Sequence, residues 1–248
     1  MWTLLGRSDR AALIAYLTAG FPEPRATLPL LDALADAGAD AIELGIPFSD
    51  PLADGPVIQR ASQRALDAGM TLDGALRIAR AFKRCPLYVM SYANSVVAYG
   101  PPRYFRAAAR AGVRGTIIPD LPPEESEGWR DERLVFLCAP TTSDRRVRLI
   151  DRRSRDFIYL VALKGVTGAK LPPGLPSFVR RVRRLTTHPL CVGFGIATPE
   201  HARRVARVAD GVIVGSALIR LIEKWGAGRV GRRRLTAFVR SLARACRR

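Results

Sequence analysis

Residues 39–59 read ADAIELGIPFSDPLADGPVIQ, and between Glu43 and Pro56 they hold three carboxylates and three prolines in a chain of net charge +18. The apolar run AIELGI has the length and branched content of a strand, yet it carries an acid at its centre. In an extended segment Ala41, Glu43 and Gly45 share one face, and Ile42, Leu44 and Ile46 share the other. Helices packed outside a sheet would cover the branched face, which turns Glu43 toward the interior. The prolines then stiffen an acidic loop, and Pro56 opens a helical pattern. Residues 39–59 are therefore a strand, a loop and the start of a helix, with the charge at the strand's C-terminal end.

The same unit recurs along the chain. Apolar runs at Ala11 to Thr18, Ala39 to Gly45, Pro86 to Ser91, Gly115 to Pro119, Leu134 to Ala139, Phe157 to Ala162, Leu190 to Gly193 and Gly211 to Val214 read as strands. Helical patterns lie between them, at Leu28 to Ala37, Val57 to Ala68, Leu72 to Arg84, Pro102 to Ala111, Glu124 to Arg130, Arg145 to Arg153, Pro176 to Leu185, Pro199 to Val208 and Ser216 to Trp225. Eight such repeats in 248 residues predict one α/β domain over 1–248, a (β/α)8 TIM barrel. An open doubly wound sheet would carry GxGxxG after its first strand, but TAGFPEPR stands there.

Composition narrows the function. A 48% hydrophobic chain buries a sizeable core, and no apolar run approaches the roughly 18 residues that span a bilayer, so a cytoplasmic protein is expected. Cys85, Cys138, Cys191 and Cys246 are too far apart in sequence for a zinc or redox motif, and no metal site is expected. Of 40 basic residues only Lys83, Lys164, Lys170 and Lys224 are lysine. The arginines follow helical segments and crowd the end, GRRRLTAFVRSLARACRR. They read as solvated helix faces, with nucleic-acid binding as the alternative.

A barrel places its active site at the C-terminal ends of its strands, where Glu43 lies. A buried carboxylate there must be paired, neutral or beside a cavity, the conditions of a general acid or base. Asp54, on the following loop, reads equally as a helix cap and as a second catalytic acid. Glycines after the late strands, in GVTGA with Thr167 and Gly168, GFGIATPE with Gly195 and VGSAL with Gly215 and Ser216, suit backbone binding of a phosphate. Lys164, beside the first of these, suits a phosphate-facing cation better than a Schiff base. His188 and His201 are expected near helix ends, away from the mouth.

ELGIPFSDPLADGPVIQ, together with YLTAGFP, MSYANSVVAYG, IIPDLPPEES, YLVALKGVTGA, GFGIATPE and IVGSALI, resembles the tryptophan synthase α subunit family over nearly the whole chain. The resemblance implies a (β/α)8 lyase that cleaves indole-3-glycerol phosphate to indole and glyceraldehyde 3-phosphate. It implies no cofactor in this subunit, a pyridoxal-phosphate β subunit as partner and an α2β2 heterotetramer. Glu43 becomes the general acid/base, and Asp54 the carboxylate facing the indole N–H. Tyr16, Ile58, Met90, Ile117, Tyr159, Thr167 and Phe194 fall at substrate-lining places, and Gly168, Gly195, Gly215 and Ser216 at the phosphate. Asp50, Pro51, Tyr92, Asn94 and Asp120 fall at the β-subunit interface. The first strand begins close to Met1, so the family's N-terminal helix is expected to be shortened or absent, and KLPPGLP gives a short, proline-stiffened lid loop. A stand-alone indole-releasing lyase is the alternative within enzymes.

Overall fold

The computed structural model describes residues 9–129, 133–162, 173–193 and 195–247. Among these residues nine strands form one sheet: β1 (Ala12–Thr18), β2 (Ala41–Gly45), β3 (Leu87–Met90), β4 (Gly115–Ile117), β5 (Leu134–Val135), β6 (Leu137–Cys138), β7 (Ile158–Val161), β8 (Leu190–Gly193) and β9 (Gly211–Val214). Every pairing is parallel, in the order β5-β4-β3-β2-β1-β9-β8-β7-β6. The two ends of that order are one residue apart in the chain, so the sheet curls into a nearly closed TIM barrel. Its seam is spanned by Phe136, whose carbonyl accepts from Tyr159 N at 3.0 Å.

The expected fifth strand, Leu134 to Ala139, is thus two short strands. β5 pairs with β4, β6 pairs with β7, and the break lets the chain change neighbours. The remaining seven strands lie within the predicted runs, each of them at most two residues shorter, and β8 and β9 match their runs in full. Pairing defines the ends more narrowly than hydrophobicity does.

Helices cover the outside: α1 (Thr27–Asp36), α2 (Pro56–Asp67), α3 (Leu72–Ala81), α4 (Ala93–Tyr99), α5 (Pro101–Arg110), α6 (Asp144–Arg153), α7 (Leu175–Arg183), α8 (Pro199–Ala206), α9 (Ser216–Trp225) and α10 (Arg229–Ala245). The expected helix Glu124 to Arg130 is instead a single 3-10 turn, Glu125–Gly128, among its described residues. Two helices were not anticipated. The short α4 is set off from α5 by Gly100 at φ 86°, and α10 lies within the arginine-rich end. α10 buries Leu235, Val239, Leu242 and Ala245 on one stripe while Arg233, Arg234, Arg240 and Arg244 stay exposed. Ala11 N donates to Cys246 O at 2.9 Å, which ties the chain after α10 to the start of β1. The expectation about an N-terminal helix falls largely on residues 1–8, outside the described residues.

Neighbours in a parallel pair project to the same face, and the register sets Tyr16, Glu43 and Tyr88 side by side inside the barrel. The rings need room. A Cβ on Gly45 would stand 2.3 Å from the Tyr16 hydroxyl, and one on Gly193 would stand 2.3 Å from the Tyr159 hydroxyl. Glycine at these two strand positions lets two tyrosines lie across the interior beneath the mouth.

Candidate active site

Glu43 is 1% exposed, and its Oε2 has no hydrogen-bond partner among the described residues. An orphaned carboxylate oxygen in a protein interior is costly, so the side chain avoids charge. Burial first, then the field of Asp54, pushes the Glu43 pKa up to about 8. At neutral pH it holds a proton that it can give away.

Asp54 lies on the loop between β2 and α2, and the structure separates its two readings. The N-cap of α2 is Gly55, with no side-chain cap, so Asp54 does not perform that service. Its Oδ2 instead accepts from the Tyr92 hydroxyl at 3.0 Å, and the same hydroxyl accepts from Ala53 N at 3.1 Å. Gln59 Nε2 donates to the Asp54 carbonyl at 2.9 Å, and the Tyr92 ring stacks on Phe48 at 5.2 Å. The loop is thereby fixed at three points. Burial raises the Asp54 pKa to about 6, against the Tyr92 hydrogen bond that lowers it. Asp54 is therefore mostly ionised at neutral pH while Glu43 is mostly neutral. Two carboxyl groups with separated pKa values can share acid and anion roles.

The walls are apolar and aromatic. Tyr16 and Tyr159 are buried, and their hydroxyl pKa values are raised by burial and then by the fields of Asp54 and Glu43. The Tyr16 hydroxyl lies 3.1 Å from Thr18 Oγ1. Met90 pairs with Gly45 on one side and Ile117 on the other, and both side chains are buried; Ile58, on α2, is partly buried against the core. Thr167, Gly168 and Lys164 lie outside the described residues, as do Phe194 and the first three residues of the lid loop, Lys170 to Pro172.

On the opposite side of Tyr16, Gly215 is the N-cap of α9 and Ser216 its first residue. That helix start has no side-chain cap and no acid in its first turn, which leaves N–H groups for an anion. A Cβ at Gly215 would be 3.4 Å from Tyr16 Cβ, so the helix start borders the aromatic wall. Gly195, in the loop between β8 and α8, has φ 77°, a left-handed conformation that favours glycine. His201 also lies at this loop, its Nδ1 3.3 Å from Gly195 O, so it is not remote from the mouth as expected. Its position three residues after Thr198, the N-cap of α8, was the available signal.

The residues expected at a partner surface divide. Asp50, Asn94 and Asp120 are exposed, and Asp120 accepts from Ala93 N at 2.9 Å at the start of α4. Pro51 is buried, and Tyr92 turns its hydroxyl to Asp54. Composition does not single out Leu52 and Val97, yet they are 88% and 56% exposed on the loop after β2 and on α4.

A nearly closed parallel barrel with Glu43 in β2 and Asp54 on the loop after it, both at the C-terminal mouth, has the architecture of a (β/α)8 enzyme. The family model described as "Tryptophan synthase alpha chain" matches residues 3–247. The tryptophan synthase alpha chain of Roseiflexus castenholzii is 49% identical, covering 89% of each chain, and that of Geobacter sulfurreducens 43% identical over 97% of this chain and 95% of its own. A solved tryptophan synthase from Mycobacterium tuberculosis superposes with TM-score 0.89 at 38% identity, covering 96% of this chain and 93% of its own. An alpha chain from Legionella pneumophila gives 0.85 at 40%, covering 96% and 92%. The chain belongs to the tryptophan synthase alpha chain family, lyases of tryptophan biosynthesis that act on indole-3-glycerol phosphate. No helix among the described residues is long and apolar enough to cross a membrane.

Proposed function

We propose that Glu43 and Asp54 carry the retro-aldol cleavage of indole-3-glycerol phosphate in this chain. The observation that supports it best is the buried Glu43, whose Oε2 lacks a partner among the described residues, near an Asp54 held by Tyr92. Glu43 gives its proton to indole C3, which places positive charge on the ring nitrogen, and the Asp54 carboxylate accepts a hydrogen bond from the N–H and stabilises that charge. The Glu43 carboxylate then takes the proton of the adjacent side-chain hydroxyl. The carbon–carbon bond breaks, its electrons restore the indole ring, and glyceraldehyde 3-phosphate forms as the aldehyde. Glu43 ends protonated, as it began.

Tyr16, Ile58, Met90, Ile117, Tyr159, Thr167 and Phe194 line the indole and the carbon chain. Gly168, Gly195, Gly215 and Ser216 hold the phosphate through backbone and hydroxyl donors. The whole chain, 1–248, acts as one cytoplasmic barrel domain without a cofactor of its own. It passes indole to a pyridoxal-phosphate β subunit in an α2β2 assembly. Asp50, Pro51, Asn94 and Asp120, with Leu52 and Val97, form the docking face, since exposed apolar side chains beside a catalytic mouth are protected when a partner covers them.

The test is indole release from indole-3-glycerol phosphate, with and without a β subunit. Release that rises strongly on adding β supports the complex. Full release without it indicates a stand-alone lyase, and none under either condition removes the assignment.

A further inference from the structure

His201 is half-buried near the start of α8, with its ring against the loop that leaves β8. Its Nδ1 is 3.3 Å from Gly195 O and 3.4 Å from Ala197 N. One ring nitrogen therefore meets both an acceptor and a donor of the same turn. A protonated Nδ1 donates to the Gly195 carbonyl, and an unprotonated one accepts from the Ala197 N–H. Either contact ties the turn to a helix that is itself anchored, because His201 N donates to Thr198 Oγ1 at 3.2 Å at the cap of α8.

Nothing in the proposed chemistry uses this histidine, yet it braces a left-handed glycine in a loop assigned to phosphate. We propose that His201 is a positioning residue for the phosphate grip. It acts through Gly195 and Ala197 by fixing the backbone dihedrals of their turn, and with them the directions of its N–H groups. The inference rests on the assignment of Gly195 to the phosphate site. Backbone donors bind an anion well only when they need not reorganise on binding. A loop that loses its brace binds phosphate less well, while Glu43 and Asp54, on β2 and the loop after it, keep their own contacts.

The experiment compares the full-length protein with its His201→Ala and His201→Asn variants. Asparagine carries an amide nitrogen and oxygen at about the place of Nδ1, so it restores either contact; alanine restores neither. In His201→Ala, KM for indole-3-glycerol phosphate and the inhibition constant of inorganic phosphate should rise together by about five- to tenfold, the scale of one hydrogen bond. kcat and the dissociation constant of indole, which has no phosphate, should stay within about twofold on the same scale. His201→Asn should return both raised constants toward the parent values. The proposal is overturned if His201→Ala leaves the phosphate constant unchanged, if indole binding weakens equally, or if asparagine behaves as alanine does. Failure of inorganic phosphate to compete in the parent protein would instead remove the phosphate assignment on which the inference rests.

Discussion

Glu43 shows how one side chain sets stability against activity. Its pKa rises from an ordinary 4.5 to about 8, so between those values the folded protein binds a proton that the unfolded chain has released. Stability then falls as pH rises through that window, because the native state keeps the proton and the unfolded state does not. Glu43→Gln removes the titration. In urea unfolding it should match the parent near pH 4.5 and exceed it near pH 9 by a few kcal/mol, on the order given by the shift. The same variant should lose about 100-fold or more in turnover, as should Asp54→Asn. Near-parental turnover in either would remove that residue's role. Activity needs Asp54 ionised and Glu43 protonated, so kcat/KM should trace a bell with limbs near 6 and 8, the apparent values of a coupled pair. Tyr92→Phe takes away the hydrogen bond that lowers the Asp54 pKa, so its acid limb should move to higher pH. An unmoved limb would mean that the hydroxyl serves only Ala53.

Within the elements, the alternation in β2 made Glu43 legible, because its period-two pattern leaves the acid on the face opposite Ile42 and Leu44. Tyr92 was not legible in the same way. Its role depends on the loop after β2 passing over the start of α4, and that proximity joins residues 38 positions apart. The split of the fifth strand had no sequence signal either, because Leu134, Val135, Leu137 and Cys138 are apolar whichever neighbour they pair with. Gly45 gives an element-scale prediction. Gly45→Ala drives a methyl group into the Tyr16 hydroxyl inside the barrel, and it should cost about 1–3 kcal/mol as an overpacked core does. Thermal unfolding checks this, and an unchanged Tm would show that the ring can swing aside.

Across the whole molecule, a net charge of +18 is carried mainly by arginines on the outer helices, as α10 illustrates, while Glu43 is the one buried acid among the described residues. The C-terminal face has a different surface, with Leu52 and Val97 exposed near Asp50 and Asn94. If that face docks the β subunit, the double variant Leu52→Asp with Val97→Asp should keep the isolated chain's indole release within about twofold. It should also weaken β-subunit stimulation by about tenfold or more, as burying two unpaired charges predicts. A titration of β subunit against release rate reads both quantities. Unchanged stimulation would move the interface elsewhere.

The sequence by itself determined the eightfold alternation of strand and helix, the inward acid of β2 and the glycines at the ends of the late strands. Those follow from short-range periodicity and from backbone conformations that one residue type allows. Only the tertiary structure decided that Gly55 rather than Asp54 caps α2, that Tyr92 holds Asp54, that Phe136 spans the barrel seam, and that His201 braces the Gly195 turn. Each of these depends on which atoms meet when distant segments pack, and a hydrogen bond between such segments leaves no mark in local composition.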